Sequence, residues 1–155
     1  MIDEVSLKIL KILQKKARIP NVEVARQVGM APSAVLERIR KLEKQGFIDG
    51  YEVRLNPKRF AKSLVAFVQI KLKNLDEEIK VGQALSRIPE VQEVHYVAGE
   101  DTFLVKVRTA DTESLGRLTR DKIACIEAVQ STQTAIALST YKETARIPID
   151  VKENK

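Results

Sequence analysis

The stretch NVEVARQVGMAPSAVLERIRKLEKQG, residues 21–46, decides how the first third of this chain folds. It reads as two helices broken at a tight turn. In NVEVARQV, Val24, Ala25 and Val28 share one helical face. GMAPS then carries two punctuation signals: Gly29 suits the left-handed conformation that ends a helix, and Pro32 suits the first position of the next. That next helix is predicted from Pro32 to about Gln45, where Gly46 supplies another stop. Val35, Ile39 and Leu42 form its apolar stripe. Ser33, Ala34, Glu37, Arg38 and Lys41 form a second stripe that no core requires.

Upstream, IDEVSLKILKILQKKAR (residues 2–18) predicts a supporting amphipathic helix. Ile2, Val5, Ile9, Ile12 and Leu13 recur at three- and four-residue steps, and Pro20 marks the break after it. Asp3 and Glu4 at one end, and Lys15, Lys16 and Arg18 at the other, suit the helix macrodipole. A supporting helix followed by two helices on a glycine-containing turn is a helix-turn-helix unit. Its last helix is narrow enough to enter the major groove of DNA, and the second stripe then has a purpose. Pro32, Ser33 and Ala34 let the helix start come close to the duplex; Arg38 and Lys41 can reach guanine acceptors or phosphates; Glu37 can accept from cytosine. Arg26, Arg40 and Lys44 are placed for flanking phosphates, and Asn21, at the start of the preceding helix, is a further candidate DNA contact. The competing reading of the stripe is an ordinary solvated helix face.

Charge distribution favours the first reading. Residues 1–60 hold thirteen Lys/Arg against seven Asp/Glu, so the whole net charge of +6 sits there, while the remainder balances to zero. GFIDGYEVRLNPKRF (residues 46–60) is expected to continue as a short strand and hinge over 51–62, with Arg54, Lys58 and Arg59 near the DNA side; a wing hairpin is the alternative.

The rest of the chain alternates strand and helix patterns. SLVAFVQIKLK (63–73) predicts a strand; Leu75–Ile88 has helical spacing through Ile79, Val81 or Gly82, Leu85 and Ile88; VQEVHYV (91–97) and TFLVKVRT (102–109) predict strands around a GED turn. Asp111 is a suitable N-cap for a helix from Thr112 to about Ile123, and VQSTQTAIALSTYK (129–142) is the last strand. The order β-α-β-β-α-β is the ferredoxin-like arrangement. The predicted class is α+β: a winged-helix-like three-helix domain (1–50), the hinge, a ferredoxin-like domain (63–143) and a frayed polar tail (144–155). Helices cover only one face of such a sheet, so the alternating sets in Val65–Gln69 and Ala135–Ser139 call for a cover, most simply a second copy about a twofold axis. Two copies would also offer two recognition helices to a pseudo-palindromic site.

Catalytic signals are scarce. His95, the one histidine, lies in an apolar strand pattern and reads as a hydrogen-bonded structural imidazole; Cys125, the one cysteine, reads as a small buried filler. No glycine-rich phosphate loop, nucleophile elbow or zinc-spaced Cys/His cluster is present. The expectation is no enzyme, no cofactor and no metal. No apolar run approaches a membrane span and the N-terminus lacks a signal-peptide layout, so the chain is expected in the cytoplasm, without a membrane partner.

The run NVEVARQVGMAPSAVLERIRKLEKQGFIDGYEVRLNP, the element order, and VHYVAGEDTFLVKV resemble the leucine-responsive regulatory protein/AsnC family of prokaryotic transcription regulators over nearly the whole chain. The resemblance implies an N-terminal DNA-binding domain and a C-terminal domain that dimerises. Tetramers or octamers and an amino-acid effector held where dimers meet are further family properties. It places the recognition segment on Ala31–Arg40 and the effector loop on Ala98, Gly99, Glu100, Asp101 and Thr102, facing Thr132 and Thr134. Two positions depart from the family pattern: Ala31 stands where a serine cap is usual, and Thr102 where an acidic residue often grips an α-ammonium group. The expected function is therefore a sequence-specific, double-stranded-DNA-binding regulator acting as a homodimer or larger assembly. A nonspecific DNA organiser or a metabolite sensor is the alternative.

Overall fold

The computed structural model describes residues 2–99 and 101–150. The chain forms two compact units, one comprising residues up to Arg54 together with the segment from Glu143 onward, the other Leu55–Lys142.

In the first unit, α1 (Glu4–Lys15), α2 (Asn21–Val28) and α3 (Pro32–Lys44) follow the predicted order. Asp3 caps α1 by accepting the Ser6 N–H at 2.7 Å. Gly29 ends α2 in the left-handed region, φ 69°, and the Met30 N–H closes back on the Ala25 carbonyl at 3.0 Å, which fixes the turn into α3. Ile9, Leu13, Val24, Ala25, Val35, Ile39 and Leu42 form the core, with Ile48 packed against it. An apolar Phe47-Ile48 pair after α3 reads from sequence as the floor of that core, yet Phe47 is half-exposed; once Gly46 turns the chain at φ 73°, only Ile48 reaches inward.

Two expectations at the edges of this unit are corrected. Residues 51–56 form no strand, and a 3-10 turn, Pro57–Phe60, follows them. An extended segment becomes a strand only when another backbone pairs with it, and the one sheet among the described residues contains neither a hinge strand nor a wing. The segment expected to fray is fastened through residue 147. Its last five residues, 151–155, lie outside the described residues.

The second unit is a four-stranded sheet in the order β2-β3-β1-β4, built from β1 (Leu64–Leu72), β2 (Val91–Val97), β3 (Thr102–Thr109) and β4 (Val129–Ile136), every neighbouring pair antiparallel. Two helices pack on one face: α4 (Glu78–Ser86), entered through a 3-10 turn at Leu75–Glu77, and α5 (Thr112–Arg117), continued by a π-helical turn, Leu118–Ile123. Asp111 caps α5 as expected, accepting the Ser114 N–H at 2.7 Å. Ala66, Val68, Ile70 and Leu72 of β1 and Phe103, Val105 and Val107 of β3 meet Val81, Leu85, Leu115, Leu118 and Ile123 from the helices. Gly82 is where α4 lies against the Phe103 ring: a Cβ there would stand 3.4 Å from it. Ile79, expected on the inner face, is 71% exposed, because α4 starts only at Glu78 and Val81 and Leu85 set its inward direction.

The other sheet face carries Phe67 and Leu104, 39% and 38% exposed, beside Gln69, Lys71 and His95. It is a mixed face rather than a continuous apolar one, with Lys106 paired to Glu93 at 3.0 Å. His95 is exposed there, 3.4 Å from Glu93. Cys125 is a correction: it is exposed, its thiol donating to the Asp121 carbonyl at 2.9 Å, since the π turn rotates it off the face that Ile123 buries.

Candidate functional site

The α2–turn–α3 segment presents one exposed surface. Around a helix of 3.6 residues per turn, Ser33 and Glu37 lie about 160° from Val35, Lys44 about 180° and Lys41 about 120°. Ser33, Glu37, Arg40, Lys41 and Lys44 are accordingly exposed, and Ala34 is half-buried. Ala31, at the N-cap of α3, makes no side-chain cap, and Pro32 begins the helix. The first N–H groups of α3 therefore keep the partial positive charge of an uncapped helix start. Asn21 opens α2, whose N-cap, Pro20, likewise offers no side-chain cap.

Two of the predicted DNA contacts are engaged within the chain. Arg38 falls only about 60° around the helix from Val35. Its guanidinium turns toward α1, where Nη1 donates to Asp3 Oδ2 and to Ser6 Oγ at 3.1 Å. This corrects the expectation that Arg38 shares the outward stripe with Lys41. The Arg38 guanidinium, helped by the Ser6 N–H, holds the Asp3 carboxyl down to about 2. Arg26 remains on the surface but is paired with Glu23, at 2.7 and 3.1 Å. Arg54 is exposed in the irregular stretch after the helices.

The predicted effector residues fall into two groups. Ala98, Gly99 and Asp101 lie in the β2–β3 turn, with Gly99 and Asp101 both at positive φ, 110° and 50°; Glu100 lies outside the described residues. Thr102 is 2% exposed, and its Oγ1 accepts from Gln69 Nε2 at 3.3 Å, so it serves the sheet rather than the turn surface. Tyr96, absent from the predicted set, joins Asp101 here: burial raises its phenol pKa, and the Asp101 carboxylate adds to the rise. Its ring also packs on Phe103, centroids 5.2 Å apart. The only sequence signal for Tyr96 was an aromatic at an alternating strand position next to the loop.

Thr132 and Thr134 lie on β4, paired with Ile70 and Val68, and therefore on the helix-covered face. There, with Leu115, Thr119, Arg120 and Ile136, they line an open trough of about 540 Å³. The sheet order puts β1 between β4 and β3, the strand on which the turn ends, and the trough lies on the helix-covered face. At ordinary strand spacing β4 is about 10 Å from β3 and about 14 Å from β2. One chain does not bring the two groups together.

Among the described residues no three His, Cys, Asp or Glu side chains group as metal ligands, and no helix is long and apolar enough to cross a membrane.

A helix-turn-helix unit with a basic outward helix, joined to a ferredoxin-like domain, defines a two-domain regulator of transcription. The comparisons agree over both parts. Residues 2–49 match the winged helix-turn-helix DNA-binding family, and residues 65–147 match the Lrp/AsnC ligand binding domain. The leucine-responsive regulatory protein of Escherichia coli K12 is 35% identical over 153 residues, covering 97% of this chain and 93% of that protein. Among solved structures, a transcriptional regulator from Neisseria meningitidis in complex with L-methionine superposes with a TM-score of 0.91 at 27% identity, covering 97% and 98% of the two chains. The feast or famine regulatory protein of M. tuberculosis, complexed with L-methionine, gives 0.88 at 29% identity over 97% and 100%. The chain belongs to the Lrp/AsnC family of DNA-binding transcription regulators.

Proposed function

We propose that this protein binds a pseudo-palindromic operator as a homodimer, reads it with Ser33 and Glu37 of α3 while Lys41 holds a phosphate, and is modulated by an amino acid held where copies meet. The observation that carries the reading is the split of the effector residues: β1 separates the β2–β3 turn from the β4 trough, which lies on the helix-covered face. A second copy can supply the missing half of the site. Two relatives that hold L-methionine support the ligand class. The half-exposed Phe67 and Leu104 support sheet-face pairing between copies, and a twofold dimer sets its recognition helices about 34 Å apart, one turn of the duplex.

Binding-site selection from random duplexes tests this, repeated with each amino acid added. Recovery of a symmetric site with half-sites one or more turns apart, with affinity altered by at least one amino acid, is the expected result. Equal affinity for selected and random duplexes at fixed salt would favour a nonspecific organiser instead.

A further inference from the structure

We infer that Asp3 is a positioning residue for the recognition helix: by holding the Arg38 guanidinium against α1, it sets how α3 presents its outer face and keeps Arg38 off the phosphates. This rests on the DNA-binding reading and adds to it a residue outside the helix-turn-helix motif.

The geometry is a three-point tie. Asp3 divides its carboxylate, one oxygen accepting the Ser6 N–H at 2.7 Å and the other accepting Arg38 Nη1. Ser6, only 7% exposed, adds its hydroxyl to the same Nη1 at 3.1 Å. The first turn of α1 is thereby joined to the middle of α3, 35 residues away in sequence. These helices also share an apolar core, to which α1 gives Ile9 and Leu13 and α3 gives Val35, Ile39 and Leu42. Apolar burial is non-directional and tolerates a helix that rolls, whereas a charge-assisted hydrogen bond fixes direction. The tie therefore sets the rotation of α3, and that rotation decides whether Ser33, Glu37 and Lys41 face the groove. The low Asp3 pKa of about 2 fits a carboxylate held ionised by its partners.

The test compares wild type, Arg38→Gln, Asp3→Asn and Lys41→Ala on two probes, a duplex carrying the selected site and a random-sequence duplex, across a salt series. Lys41→Ala calibrates one lost phosphate contact, a slope shallower by about 0.9. Arg38→Gln is expected to keep the wild-type slope while the ratio of selected-site to random-duplex affinity falls roughly tenfold, the scale of one base contact. Asp3→Asn retains the capping oxygen but releases Arg38, so the slope steepens by about 0.9 and random-duplex affinity rises. A shallower slope for Arg38→Gln, matching Lys41→Ala, would overturn the inference by showing that Arg38 contacts DNA. Wild-type slope and specificity in Asp3→Asn would overturn it too, and this variant decides the matter if Arg38→Gln does not fold. Absence of salt-dependent binding by the wild type would instead remove the DNA reading itself.

Discussion

The side-chain amide of Gln14 is paired twice with the backbone of Ile147: Nε2 donates to the carbonyl oxygen at 3.1 Å, and Oε1 accepts the N–H at 2.8 Å. Next to it, Arg146 donates to the Lys15 carbonyl at 3.3 Å, satisfying one of the acceptors left over at the end of α1. The segment after β4 thus ends on the helix-turn-helix unit as a clasp. Gln14→Ala is expected to release it. Hydrogen exchange at Ile147 should rise to the unprotected rate and protease should nick the segment. The stability loss should stay near 1 kcal/mol, because both bonds are exposed. Unchanged exchange at Ile147 would show that the clasp is held by other contacts.

Ile70 and Ile79 were both apolar positions in the sequence, yet one is fully buried and the other 71% exposed. Ile70→Ala should cost about 2–5 kcal/mol in urea unfolding, through lost burial and the cavity left between sheet and helices. Ile79→Ala should change stability by less than about 0.5 kcal/mol, as an exposed substitution does. Similar losses in the two variants would place Ile79 in a packed interface.

Glu37 stands at the centre of the outward face of α3. If it accepts from a cytosine amine, Glu37→Ala relaxes discrimination at one base position by about 1–3 kcal/mol and leaves the others alone. Site selection with the variant reads this directly. A uniform loss over all positions would mean that Glu37 shapes the helix rather than reading a base.

Acid titration probes the Asp3–Arg38 tie from the protein side. Asp3 is lowered from 3.8 to about 2 in the folded state. A depressed carboxylate contributes stability above its unfolded value and loses it as the pH falls through the folded one. An NMR titration of wild type should therefore show the Asp3 carboxyl protonating near pH 2, and at a higher pH in Arg38→Gln, where the Ser6 N–H still holds it below its ordinary value. The acid limb of unfolding between those two values should flatten in Asp3→Asn. A normal midpoint in wild type would rule the pairing out in solution.

Cys125 is exposed, its thiol resting on the Asp121 carbonyl. One equivalent of a thiol reagent should label the native protein fully without denaturant. Protection until unfolding would mean that an assembly covers this surface.

Much of this protein was determined by local rules acting on short stretches. The Gly29 and Pro32 signals set the turn, Val35, Ile39 and Leu42 set the inner face of α3, and the alternation in 63–73 and 102–109 set the strands. Such patterns are legible because one backbone period decides which side chains point together. What the pattern could not settle was any position on the flank of an element. Arg38 lies between inner and outer faces, and only the arrival of Asp3 from a distant segment drew it inward. Tertiary structure also decided that residues 51–56 stay unpaired, that the segment through Ile147 is clasped, and that Cys125 faces out. It separated Thr132 and Thr134 from the β2–β3 turn as well, because strand order within a sheet depends on which strands meet in space rather than on their order along the chain.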